Sequence, residues 1–208
     1  SSSKENILKK IRQALSNGVP VPFPKSEGNN SVYQQQSDDL EVQFAQEFTR
    51  LLGKFAFCVN EADLTNQLQM LFKEKKWNNI YCNEENLFHL ISTSAPYQVH
   101  KSTLAGCDAS ITTCEYLIAR TGTIVMSTGQ TSRSVSVYAP IHICIAYSDQ
   151  LVYDIKEALQ LLKERYKGNI PSSIAFASGP SRTADIEKSL VVGVHGPKEV
   201  YLFLVDKA

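Results

Sequence analysis

The sequence has no excess charge of either sign, no long apolar run and no closely spaced pair of cysteines. Over 208 residues, twenty-one Lys and Arg residues balance twenty-one Asp and Glu residues. Without a basic excess, binding to a nucleic-acid backbone through counterion release is not expected. The apolar runs have the length of strands, whereas a membrane-spanning helix needs about 20 apolar residues. The sequence therefore predicts no nucleic-acid partner and no membrane span.

The cysteines and the start of the chain exclude further classes. No positively charged start followed by an apolar stretch indicates a secretory signal, so we expect a cytoplasmic protein. The five cysteines form no C-x-x-C pair, which argues against a zinc ribbon or an iron–sulfur cluster in this chain. Cys58, Cys82 and Cys144 lie in strand-like runs and are expected to be buried. Cys107 and Cys114 lie in a polar segment, and their reactivity is left open.

The four histidines show no metal-binding spacing such as H-x-H or H-x-x-x-H, so no metal site and no cofactor are predicted. His142 alternates with isoleucines in an apolar run, which favours a buried structural histidine over a general base. His195 precedes the last predicted strand and should therefore lie opposite the ligand crevice. We interpret His195 as structural.

Composition divides the chain into three segments. In residues 1–17, apolar side chains recur at helical spacing, which predicts an amphipathic helical arm. Residues 18–37 hold three prolines and many polar side chains, which predicts a linker. Residues 38–208 form the main domain, in which Asp38 and Asn60 are expected to cap the first two helices.

The main domain alternates short apolar strands with amphipathic helices. The clearest strand candidates are FAFCV, NNIYC, IHICIAY, SIAFAS and VYLFLV. This alternation predicts an α/β fold with three layers, α/β/α, around a mainly parallel sheet. In the centre, EYLIA and TIVMST follow one another without a helix, which predicts one antiparallel excursion.

The most informative loop follows SIAFAS and reads SGPSRTADIE. Ligands of open α/β sheets bind outside the carboxyl ends of strands, and this loop follows such an end. Ser181 and Thr183 could cap the helix predicted to follow, whose start would attract an anion, and Arg182 adds a planar cation. The alternative is an ordinary capped helix in which Arg182 pairs with Asp185 or Glu187.

Other segments carry weaker signals. Residues 130–136 read as a polar loop containing Arg133, and Gly122 before Thr123 permits close backbone approach. Glu115 opens a strand and could be a buried carboxylate. No residue is assigned a catalytic role from the sequence, and whether the chain is itself an enzyme is left open.

Three stretches together resemble the LUD domain family, which includes lactate-utilization proteins of the LutC or YkgG type. Residues 178–205 resemble the family's C-terminal signature, SGPSRTADIE followed by G-V-H-G-P, and ARTGTIVM resembles its A-E-T-G-T segment. Four further residues fall on the family's R-x-x-S-x-x-P-x-H pattern: Arg133, Ser136, Pro140 and His142. The resemblance covers roughly residues 38–206. Arg120 stands where many members carry an acid, which puts that position's role in doubt.

The resemblance implies a fold like that of glucosamine-phosphate deaminase, ribose-phosphate isomerase and CoA transferases. It also implies a non-redox component of an L-lactate oxidation system, acting beside iron–sulfur partner proteins that carry the clusters. Two alternatives stay open. One is a free-standing enzyme that acts on a phosphorylated or CoA-linked substrate, and the other is a structural adaptor that grips a partner through its N-terminal helix and linker.

Loop chemistry and the resemblance together predict a site for a small carboxylate or phosphate. We expect four residues of the SGPSRT stretch to form the anion pocket: Gly179, Ser181, Arg182 and Thr183. Three further residues are expected to face it from neighbouring strand ends: Arg133, Gly122 and Thr123.

Overall fold

The computed structural model describes residues 39–93, 99–101, 103–183, 191–193 and 195–207. The arm and the linker predicted for residues 1–37 lie outside the described residues, as does the middle of the helix predicted after Thr183.

Five helices and twelve strands are described. The helices are α1 (Leu40–Arg50), α2 (Glu61–Lys75), α3 (Glu85–Ser92), α4 (Arg133–Tyr138) and α5 (Ile155–Arg165). The strands are β1 (Lys54–Cys58), β2 (Ile80–Cys82), β3 (Val99–His100), β4 (Ala109–Thr112), β5 (Tyr116–Ile118), β6 (Thr123–Ser127), β7 (Ile141–Tyr147), β8 (Leu151–Val152), β9 (Ile174–Ala177), β10 (Arg182–Thr183), β11 (Val191–Val192) and β12 (Glu199–Val205). Short 3-10 turns lie at Ala119–Thr121 and Ser148–Gln150. In this part of the chain, every helix is too short or too polar to cross a membrane.

The main sheet has six strands in the order β1-β12-β7-β4-β2-β3, and every neighbouring pair is parallel. Parallel strands need crossover connections, and α2 and α3 supply two of them. The predicted α/β fold with a mainly parallel sheet is confirmed.

A second sheet has four strands in the order β8-β5-β6-β9. Strands β5 and β6 form an antiparallel pair, and β9 runs antiparallel to β6. The predicted antiparallel excursion is therefore present. The SIAFAS strand also exists, but it pairs with β6 in the second sheet and not with the parallel sheet.

The parallel sheet is buried on both faces, as its apolar strands require. Along β12, Phe203 and Val205 pack in the core formed with α2 and α3. Their neighbours Leu202 and Leu204 pack on the other side, in the core formed with α1 and the second sheet. Alternate residues of one strand thus enter different cores, which explains the uninterrupted apolar run. One face is covered by helices, and the other by α1 together with the second sheet.

Side-chain caps define where the first two helices begin. The Asn60 side chain accepts a hydrogen bond from the Asp63 backbone N–H at 2.9 Å, which confirms the predicted cap of α2. For α1 the predicted cap, Asp38, is wrong by one residue. Asp39 is the cap, and its Oδ1 accepts from the Val42 N–H at 3.1 Å.

Glu115 is a buried carboxylate, as expected, with no exposed surface. The Arg165 guanidinium donates to its Oε2 at 2.8 Å, while the hydroxyls of Ser127 and Tyr166 donate to its Oε1. Burial and the hydrogen bond to Glu115 raise the pKa of Tyr166. Because both carboxylate oxygens are engaged, we assign Glu115 to holding α5 against the second sheet and not to nucleophilic chemistry.

All five cysteines are buried and unpaired. The burial predicted for Cys58, Cys82 and Cys144 is confirmed, and Cys107 and Cys114 are buried as well. Burial raises the pKa of the Cys82 thiol to about 12 and that of Cys58 to about 11, and it also raises the pKa of Cys107. High thiol pKa values favour packing over reactivity at these three positions.

Candidate functional site

Three segments that are far apart in the sequence meet around one cavity of about 400 Å³. We call it the inter-sheet cavity. The described residues that line it are Met126, Ser136, Val137, His142, Val200 and the segments 175–182 and 195–197. The SGPSR loop, the HGP turn and the α4–β7 segment of the R-x-x-S-x-x-P-x-H pattern therefore contribute to a single site.

The inter-sheet cavity lies at the amino ends of two parallel strands. His142 and Val200 are each the second residue of their strands, β7 and β12, and both line the cavity. The sequence placed the ligand crevice at the carboxyl ends of the parallel strands, whereas this cavity lies at amino ends. The SGPSR loop follows the carboxyl end of β9, but β9 belongs to the second sheet. This end of β9 lies beside the amino ends of β7 and β12, since residues of all three line the same cavity.

Backbone hydrogen bonds join the SGPSR loop to the HGP turn. The Ser181 N–H donates to the Pro197 carbonyl at 2.9 Å, and the Ser181 carbonyl accepts from the Gly193 N–H at 2.9 Å. Gly179 has a φ of +78°, and a Cβ there would lie 2.4 Å from the Leu51 carbonyl oxygen. The loop thus has a fixed path in which glycine is required on steric grounds.

The helix predicted to begin at Ser181–Thr183 is wrong at its start. Arg182 and Thr183 form β10, which pairs antiparallel with β11 in the register Arg182↔Val192 and Thr183↔Val191. An anion here would therefore meet the Arg182 side chain and the loop's hydroxyl and N–H groups. Val191 and Val192, which were predicted at the end of this helix, form β11, and residues 184–190 lie outside the described residues.

His195 is the main correction to the site. His195 was expected opposite the ligand crevice, yet it lines the inter-sheet cavity with an exposed side chain. The reason is the amino-end location, since the turn before β12 borders this end of the sheet. The G-V-H-G-P stretch could have indicated His195 from the sequence, if it had been interpreted together with SGPSR as parts of one site.

His142 forms a neutral polar wall of the cavity. Its ring is 1% exposed, and its Nε2 lies 2.8 Å from the Thr112 Oγ1. Burial lowers the pKa of His142 to about 4, so the ring is uncharged near neutral pH. The favoured interpretation of His142 as a buried histidine is confirmed, and the same ring contacts the cavity. Neutral His142 can exchange hydrogen bonds with a ligand but supplies no charge.

The charge of the site is positive. Arg182 is exposed and lines the cavity, and no acidic side chain is among the described lining residues. Within the described ranges, no carboxylate forms an ion pair with Arg182. Asp185 and Glu187, its alternative partners from the sequence, lie outside those ranges. This lining, rich in hydroxyls and free of acids, fits an anion.

The other predicted site residues lie around the cavity. Gly122 and Thr123 are not among its described lining. The Thr123 Oγ1 is 2.8 Å from the Ser178 Oγ, so Thr123 contacts the loop rather than the cavity. Arg133 begins α4 and Thr183 ends β10, but both side chains lie outside the described structure.

Two details of neighbouring segments differ from expectation. The predicted polar loop over 130–136 is wrong from Arg133 onward, because that residue begins α4, which places Ser136 and Val137 at the cavity. Arg120 lies in the 3-10 turn after β5, where its backbone N–H donates to the Tyr153 carbonyl. Arg120 is outside the described lining, so its difference from the family pattern does not alter the described cavity wall.

The described residues do not include a candidate metal site. Among them, no three His, Cys, Asp or Glu side chains lie close enough together to hold an ion.

Comparison with known proteins was made at the level of family, sequence and fold. The family model described as the LUD domain matches residues 45–205. "Lactate utilization protein C" of Shouchella clausii is 41% identical over 103 residues, which cover 48% of this chain and 45% of that protein. The protein of the same name from Bacillus subtilis is 36% identical over 104 residues, which cover 48% and 43%. Each match thus spans a little under half of the relative's length.

A solved structure supports the fold. The crystal structure of a DUF162 family protein from Deinococcus radiodurans superposes with a TM-score of 0.63 at 18% identity. The superposition covers 83% of this chain and 99% of that one. At this identity the likeness establishes the fold alone.

Proposed function

The chain belongs to the LUD domain family, and we propose that it is a component of a lactate-utilization system that binds a small anion in the inter-sheet cavity. The observation that supports ligand binding is that three sequence motifs meet around one cavity, whose described lining contains Arg182 and no acidic side chain. The names of the relatives support the lactate part, over the half of the chain that they match.

In this proposal, the charged and the neutral side chains of the cavity bind different parts of the ligand. Arg182 provides a planar fork of donors that matches a carboxylate, so it holds the anionic end of the ligand. His195 and neutral His142 are placed to exchange hydrogen bonds with a hydroxyl or the second carboxylate oxygen. Thr123 positions the loop through Ser178. Each of these roles is binding or orientation.

We further propose that the chain is the non-redox, cytoplasmic member of its system and acts beside iron–sulfur partner proteins. The resemblance to LutC-type proteins supports this role. The five buried, unpaired cysteines fit a reducing compartment. In this proposal the electrons of lactate oxidation pass through the partners, and this chain binds an anion or docks the partners.

Growth of a deletion strain on L-lactate tests the proposal. We expect growth to be lost, to return with the wild-type gene, and to stay at least about tenfold slower with Arg182→Ala, because removing a charged hydrogen-bond partner costs roughly 1.5–3 kcal/mol. Arg50→Ala is the matched control, since Arg50 is an exposed arginine on α1 and is not among the described lining residues of the cavity.

The outcomes separate the parts of the proposal. Rescue by Arg182→Ala as well as by the wild type would retain the pathway but remove the anion site, and would favour an adaptor. Undiminished growth of the deletion strain, in a host without a second copy of the gene, would contradict the lactate role. Circular dichroism of each variant shows whether it is folded.

A further inference from the structure

We propose that the ligand of the inter-sheet cavity is a 2-hydroxy carboxylate larger than lactate, whose apolar substituent lies in an adjoining groove. This inference rests on the proposed function, because it takes the carboxylate at Arg182 as given. What it adds is the ligand's size and the chemistry of its second half.

The groove is lined by α4 and by the turn before β12. Its described residues are Ser134, Val137, Tyr138, Pro140, Gly193, His195, Gly196 and Lys198, and its volume is about 540 Å³. We call it the Tyr138 groove. The groove and the inter-sheet cavity share three lining residues, Val137, His195 and Gly196. The two spaces therefore adjoin at these residues, and in this inference the ligand extends from one into the other.

Size argues against lactate alone. The inter-sheet cavity has a volume of about 400 Å³. Lactate has six non-hydrogen atoms and would leave most of that space to solvent. Cavities of about 300–1,000 Å³ accommodate ligands several times larger.

The chemistry of the groove defines the substituent. Val137 and Tyr138 are adjacent on α4 and remain 40% and 64% exposed, although both are apolar surfaces. Together with Pro140 they form an apolar wall, on which an aromatic or branched group can pack against the Tyr138 ring. No acidic side chain is among the described residues of the groove, and Lys198 keeps its potential positive. An anion with an apolar, preferably aromatic, substituent fits both spaces.

A paired titration of the full chain tests this inference, with L-lactate and 3-phenyl-L-lactate as the two probes. We expect phenyllactate to bind about tenfold more tightly, because burying an aromatic side chain has an effect of this size or larger. Tyr138→Ala should reduce this preference to about threefold or less, whereas Tyr138→Phe should retain it. Met70→Ala is the control, since Met70 is a highly exposed apolar side chain on α2 outside the groove.

The outcomes distinguish this inference from the proposed function. If lactate binds and phenyllactate binds no better, the ligand is small and this inference is overturned while the proposed function stands. If neither probe binds the folded protein, the proposed anion site does not exist, and both this inference and the proposed anion binding are contradicted. A preference that survives Tyr138→Ala would place the substituent elsewhere and would also overturn the inference.

Discussion

Gly122→Ala is expected to destabilise the protein by about 4 kcal/mol, enough to lower the folded population visibly in urea. Gly122 has a φ of +56°, where an L side chain costs roughly 1–2 kcal/mol. An added Cβ would also lie 2.4 Å from the Phe48 backbone N and 2.7 Å from the Glu47 carbonyl carbon. Those atoms belong to the backbone of α1, so the overlap is relieved only by moving a helix whose Phe44 and Phe48 are fully buried.

Gly106→Ala is the matched control for that substitution. Gly106 also has a positive φ, +74°, but a Cβ there would meet no atom within 4 Å. Its cost should be the conformational part alone, about 1–2 kcal/mol. Equal losses for the two variants would show that Gly122 matters only for its backbone angle, and would contradict the close approach of the α1 backbone to this residue.

The second large effect is a pH dependence of stability from His142. Its pKa is about 4 in the folded protein and 6.5 when unperturbed, so the unfolded chain binds a proton more readily between those values. Above pH 6.5, neutral His142 does not reduce the free energy of unfolding. As the pH falls from 6.5 toward 4, the free energy of unfolding decreases. At about 1.4 kcal/mol per pH unit, the loss over this window is about 3 kcal/mol.

Urea unfolding between pH 4 and pH 7.5 measures this effect, and His142→Gln isolates it. Glutamine is neutral throughout, and its amide can occupy the position of Nε2 next to Thr112. The burial-raised pKa of Glu84 changes stability with the opposite sign in the acidic range, but it is common to both proteins and cancels in the difference. Parallel curves for the two proteins would show that His142 is accessible to protons in the folded state.

The strands of the parallel sheet were predictable because local pattern and burial agree. IHICIAY, apart from the buried His142, and VYLFLV are apolar at their buried positions, and both form central strands. SIAFAS shows where this reasoning stops. Its composition identifies a strand, but nothing local says which sheet it joins, since that is decided by pairing with β6.

A segment that lines the cavity could be selected from the sequence, but the position of the cavity in the fold could not. The SGPSR loop selected from the sequence lines the inter-sheet cavity, but the rule for open sheets put the crevice at carboxyl ends and so excluded His195. The helix predicted over TADIEKSLVVG is wrong at its described ends, because Thr183 pairs with Val191 and Arg182 pairs with Val192, contacts between residues eight or more apart. Capping patterns carry no information about such pairing.

The most direct test of the central claim is an NMR titration of the ¹⁵N-labelled full chain with L-lactate. The account predicts saturable amide shifts at the SGPSR loop, at Ser136 and His142, and at His195 and Gly196. It also predicts that Arg182→Ala abolishes them in a folded protein. Saturable shifts elsewhere in the chain, or none at any lactate concentration, would contradict the claim that these motifs meet to form an anion-binding site.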